Sequence, residues 1–86
     1  MDITFDSRFH YVAACDAVLL RAFVGDKSVN VLIPTDVLAR RYGALAGVSK
    51  ELAAHVAILD HRRSLEAEAK ELLAAGVPEG GVLTLN

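Results

Sequence analysis

Cysteine is nearly absent from this 86-residue chain and tryptophan is missing altogether. With Cys15 as the one thiol, no intrachain disulfide can form, and its neighbours Ala13, Ala14 and Asp16 include no base to favour a thiolate. Cys15 is therefore expected to behave as a partly buried, small apolar side chain. No stretch approaches the ~20 consecutive apolar residues of a membrane span. Residues Met1 to Asp6 carry neither the basic region nor the apolar run of a signal peptide. A cytoplasmic protein with no membrane partner is the expectation. Charge of one sign is also in short supply, with a net charge of −2. Nucleic-acid modules draw most of their affinity from neutralising phosphates and are usually basic, so the overall charge disfavours such a partner. A local arginine surface stays open.

Apolar residues, by contrast, make up 53% of the chain and charged ones 23%, too apolar a balance for a disordered segment. The length suits one domain over residues 1–86, but a chain this short buries only a little over ~60% of its unfolded surface. A mean hydropathy of +0.37 is high for so small a body. Self-association would cover the excess, so a homodimer, or another protein, is the expected partner.

The strand signals are concentrated in the first half. Ile3 to Phe5 alternates briefly and reads as an edge strand ending at Asp6-Ser7, whereas Phe9 to Asp16 fits helix or extended chain. From Val18 to Val24 the alternation is regular: Val18, Leu20, Ala22 and Val24 share one face, and Leu19, Arg21 and Phe23 the other. Gly25-Asp26-Lys27 supplies turn chemistry, and Val29, Val31 and Ile33 then alternate with Ser28, Asn30 and Leu32. Two such runs joined by a short Gly-containing link predict an antiparallel hairpin over about 18–33.

Pro34 has no N–H for the ladder, and Thr35 and Asp36 sit where a helix cap and a first-turn acid belong. A short helix over 36–42 is expected to stop at Gly43. Ser49 is the next cap. Between it and Ala75 there is no Gly or Pro, which predicts one long helix over 49–75 ended by Gly76 and Pro78. Its inward stripe reads Leu52, Val56 and Leu59, then Ile58, Leu65, Ala69 and Leu72, with Glu66 and Lys70 paired on a flank. At ~1.5 Å per residue it spans roughly 40 Å, so one end must bend or project toward a partner. Gly80-Gly81 and Val82 to Leu85 read as a turn and a closing strand. The fold class is thus α+β: a small antiparallel sheet, made of the central hairpin and the terminal strands, packed against both helices.

Four arginines are the candidate binding residues, for an anion or a partner's carboxylate. Arg62 falls on the apolar stripe of the long helix, where a charge must find a carboxylate, carbonyl oxygens or an anion, or reach water. Arg63 lies on its flank. Arg40 and Arg41 complement the dipole at the end of the short helix, and if the two pairs converged they would form an anion site. A metal site is not expected, because His55 and His61 lie six residues apart rather than the three or four that put two ligands on one helix face, and His10 is remote. Asp60 and His61 point to different faces, Gly80-Gly81 belongs to no phosphate loop, and no serine sits in a nucleophile elbow. No catalytic residue or cofactor is assigned, and the balance falls against an enzyme.

The ordered set of elements resembles the bacterial family called domain of unknown function 1488. Val18-x-Leu20-x-Ala22-x-Val24, the Gly/Asp turn, Val29-x-Val31-x-Ile33 and Asp36-Val37-Leu38 carry the first half of the resemblance. Ile58-x-x-His61-Arg62-x-x-Leu65-x-x-x-Ala69, Gly76 and Glu79-x-Gly81 carry the second. The chain departs from the family pattern at Val31, Pro34-Thr35, Ile58 and Gly80. The resemblance implies a compact α+β fold, a proteobacterial origin and a helix arginine at Arg62, and it brings no established activity. The leading expectation is a small, self-associating, non-enzymatic interaction module. A nucleic-acid-associated regulator and an anionic small-ligand binder are the alternatives.

Overall fold

A computed structural model describes residues 2–43 and 47–86; of the domain expected over 1–86, Met1 and residues 44–46 lie outside the described residues. Three strands come first: β1 (Ile3–Val12), β2 (Ala17–Val24) and β3 (Lys27–Pro34). The helices α1 (Thr35–Tyr42) and α2 (Lys50–Ala75) follow, then a single 3-10 turn at Glu79–Gly81 and β4 (Val82–Thr84). The strands lie in the order β1-β2-β3-β4. The α+β architecture expected from the sequence is the one observed.

The central hairpin has the expected register, with Val18 opposite Ile33 and Val24 opposite Lys27. Gly25 takes the positive φ that its two-residue turn requires. Val18, Leu20, Ala22, Val24, Val29, Val31 and Ile33 are all buried, so one face of the alternation forms the floor of the core. Ala54, Ile58, Leu65, Ala69 and Leu73 of α2, with Leu38 of α1, form its roof. Each large apolar side chain fully withdrawn from water contributes ~1.5–3 kcal/mol.

Four features differ from the sequence reading. First, β1 does not end at Asp6-Ser7. It continues to Val12 across a bulge in which Asp6, Ser7 and Arg8 face only Arg21, between the pairs Phe5–Ala22 and Phe9–Leu20. Two extra residues preserve the two-residue period, so Phe5 and Phe9 both pack on the core despite the irregularity.

Second, β4 pairs parallel to β3, which makes the sheet mixed rather than wholly antiparallel. Parallel neighbours need a long crossover, and the stretch carrying both helices supplies it. Leu85 extends the pairing by donating its N–H to the Leu32 carbonyl at 2.9 Å, and its side chain is buried.

Third, α1 begins at Thr35 itself, with Pro34 at the cap position and no side-chain cap bond. The Thr35 N–H donates instead to the Asp16 carbonyl at 3.0 Å. Ser49 does cap α2, accepting from the Leu52 N–H at 3.1 Å.

Fourth, the inward stripe of α2 is the expected one only in part: Ile58, Leu65 and Ala69 are buried, but three of its leucines are not. Leu52, Leu59 and Leu72 are 49%, 59% and 44% exposed, and Leu73 takes the buried place assigned to Leu72. The helix is also bent at His61, whose φ/ψ of −120°/16° is not helical. A 26-residue helix of ~1.5 Å rise fits the 41 Å long axis of the molecule only by running its full length.

Candidate functional site

Arg62 reaches from α2 to the bulge of β1. Its Nη1 donates to the Ser7 carbonyl at 3.1 Å, its Nη2 donates to the Asp6 carbonyl, and its Nε donates to Glu66 Oε2 at 2.5 Å. Its guanidinium carbon stands 5.9 Å from the centre of the Phe9 ring. The bulge strips Asp6 and Ser7 of ladder partners, and a helix cation with a fixed fork of donors takes their place. Glu66, expected to pair with Lys70, pairs with Arg62 instead, at the same i, i+4 spacing.

Arg41 is held on the other side of α2, since Glu68 and Glu66 lie two residues apart and point to different sides of the helix. It grips both oxygens of Glu68 at 2.8 and 3.0 Å and donates to the Asn86 carbonyl. The bidentate pair with Glu68 raises the Arg41 pKa further above its already high value. Arg40 and Arg63 are exposed. The two arginine pairs therefore do not meet: Arg62 serves β1, and Arg41 ties α1 to α2 and to the end of the chain.

The histidines are also separate. His61 stacks on Tyr42, with ring centres 3.7 Å apart and planes 6° from parallel, so the bend in α2 coincides with its contact to α1. His55 lies against Phe9, with ring centres 4.9 Å apart.

One node had no sequence signal. Asp16 occupies the β1–β2 turn at φ 49°, in the left-handed region where aspartate is one of the few tolerated side chains. Its Oδ1 accepts from the Tyr11 hydroxyl at 2.8 Å and its Oδ2 from Lys50 Nζ at 3.2 Å. With its carbonyl on the Thr35 N–H, it links a strand turn to the starts of both helices. Tyr11 first, and Thr35 and Lys50 after it, hold the Asp16 carboxyl below the usual carboxylate range. The same bond raises the Tyr11 hydroxyl pKa. Cys15, in the same turn, is exposed rather than partly buried. Beside the node, a cleft of about 260 Å³ between α1 and the first half of α2 has an apolar floor of Leu38, Ala54 and Ala57, with Asp16 and Lys50 paired at its rim.

The most distinctive surface is the outer side of α2. At ~100° per residue, Leu52, Val56 and Leu59 fall within an arc of about 60°, roughly half a turn from Ala54, Ile58 and Leu65. The first half of this helix thus has an apolar stripe facing the sheet and a second one facing out. The spacing rule could not separate them, since both recur every three or four residues.

Among the described residues no helix is long and apolar enough to cross a membrane. No family model matches the chain, and no curated protein matches it. Among solved structures, a protein of unknown function of the domain of unknown function 1488 family from Shewanella loihica PV-4 is similar in fold. The match has a TM-score of 0.79 at 16% identity and covers 99% of this chain and 94% of that one. The chain therefore has a fold like that of this domain of unknown function 1488 protein, the family its ordered motifs resemble.

Proposed function

We propose that the chain is a small, cytosolic, non-enzymatic interaction module that associates with itself. The supporting observation is the outward stripe on α2, with Leu52 and Leu59 about half exposed in a single protomer. Leucines so placed gain little from a lone protomer and much from a partner that removes them from water. The accessible surface of 5382 Å² also exceeds the ~4,900 Å² that surface scaling gives for a compact monomer of 9.2 kDa.

The nucleic-acid and anion-binding readings draw less support. The first draws on Arg40, Arg41, Arg62 and Arg63 and the second on Arg62, and the Arg41 and Arg62 side chains are occupied within the fold. Light scattering on the full chain tests the main reading. A mass near twice the 9.2 kDa protomer, at concentrations of about 100 µM, is expected. A protomer mass held across that range would overturn it.

A further inference from the structure

We infer that the occupant of the α2 stripe is the same stripe of a second copy, laid antiparallel about a two-fold axis between His55 and Val56. This rests on the self-association reading and assigns it a surface, an orientation and a charge register.

Two apolar surfaces compete for that role. On the uncovered face of the sheet, Phe23 is 37% and Val82 45% exposed. Phe23 lies opposite Thr4 and Ser28, and Val82 opposite Asn30, which itself faces Arg21. Leu19 and Leu32 also lie opposite each other there, but both are half-buried, and Arg21, Asn30 and Thr84 separate them from Phe23 and Val82. The α2 stripe runs from exposed Leu52 through half-buried Val56 to exposed Leu59, and its two leucines are the more exposed residues.

Its ends specify the orientation. Glu51 is exposed at the N-terminal end, a little over a quarter turn from the centre of the stripe, and Arg63 is exposed at the C-terminal end, just past the bend at His61. Neither takes part in an ion pair among the described residues. A parallel pairing would set Glu51 against Glu51 and Arg63 against Arg63. The antiparallel pairing sets Leu52 against the second copy's Leu59 and brings Glu51 within side-chain reach of the second copy's Arg63. An isologous contact must be complementary to itself, and an acid at one end with a base at the other satisfies that condition. The stripe covers only about two turns, so the contact is small and a micromolar dimer is expected rather than a nanomolar one.

The test is sedimentation of the full chain over about 5–200 µM, with every variant checked for an unchanged far-ultraviolet spectrum and melting temperature. Leu59→Glu should weaken the dimer at least ~10-fold while the protomer stays folded, since Leu59 is 59% exposed. Glu51→Arg and Arg63→Glu should each weaken it several-fold, and the double swap should restore it. In a Cys15→Ser background, Val56→Cys should form an intermolecular disulfide on mild oxidation.

A wild-type dimer that survives Leu59→Glu but is lost in Phe23→Asp would overturn this inference and leave self-association standing. A dimer lost in Leu59→Glu, but with no rescue by the double swap and no Val56→Cys crosslink, would overturn the antiparallel register. A monomeric wild type would overturn both.

Discussion

The two halves of α2 have similar apolar content and put it to different use. Before the bend at His61, Ala54 and Ile58 face the sheet while Leu52 and Leu59 face out. After the bend, Leu65, Ala69 and Leu73 form one buried row, and the outer side carries Arg63, Lys70 and Glu71, with Leu72 as the isolated exception. A helix segment with a polar back is committed to the core it covers. A segment apolar on both sides has one side left over, and its second stripe becomes intelligible once another surface is placed against it.

The largest expected effect lies in the committed half. Leu65→Ala should cost ~2–5 kcal/mol by urea denaturation, enough to unfold much of a domain whose total stability is of order ~5 kcal/mol. Leu59→Ala should change the stability of the protomer by less than ~0.5 kcal/mol. Similar losses for the two leucines would erase the contrast between the halves.

Arg62→Ala comes next, at ~1–3 kcal/mol, because it strips the Asp6 and Ser7 carbonyls of their partner. Hydrogen exchange sharpens the point: amides around the bulge of β1 should lose protection, while those of the β2–β3 hairpin keep theirs. Uniform loss across the sheet would mean that Arg62 is not specific to β1. Arg41→Ala should cost no more than ~1 kcal/mol, since its pair with Glu68 is partly open to solvent.

The smallest effect concerns Asp16 and is a matter of direction. Its folded pKa is depressed, so its contribution is fully present above the ordinary carboxylate range and is lost as pH falls through the lowered folded value. The wild type should lose more stability than Asp16→Asn does between pH 5 and pH 2, as followed by acid titration of the melting temperature. Parallel acid profiles for the two proteins would remove the Tyr11–Asp16 bond from the account.

The β2–β3 hairpin, the Ser49 cap and the stop at Gly43 were legible because each depends on residues within a few positions of one another. The charged position Arg62, set among apolar neighbours, signalled that it needed strand carbonyls or a carboxylate, and it has both. The bulge in β1 was not legible. Two added residues leave the alternation of Ile3, Phe5, Phe9 and Tyr11 unbroken, so the pattern reads the same with or without it. Nor was Asp16, whose partners Thr35 and Lys50 lie far along the chain.

Local pattern decided which segments are strands and which are helices, because backbone propensity, turn chemistry and side-chain period act over a turn or a few residues. Tertiary contact alone decided the direction of β4, the row of α2 that faces the sheet, and the separation of the two arginine pairs. Those outcomes depend on which surfaces meet across tens of residues, and a helix with two apolar rows carries no local mark of the one the core will take.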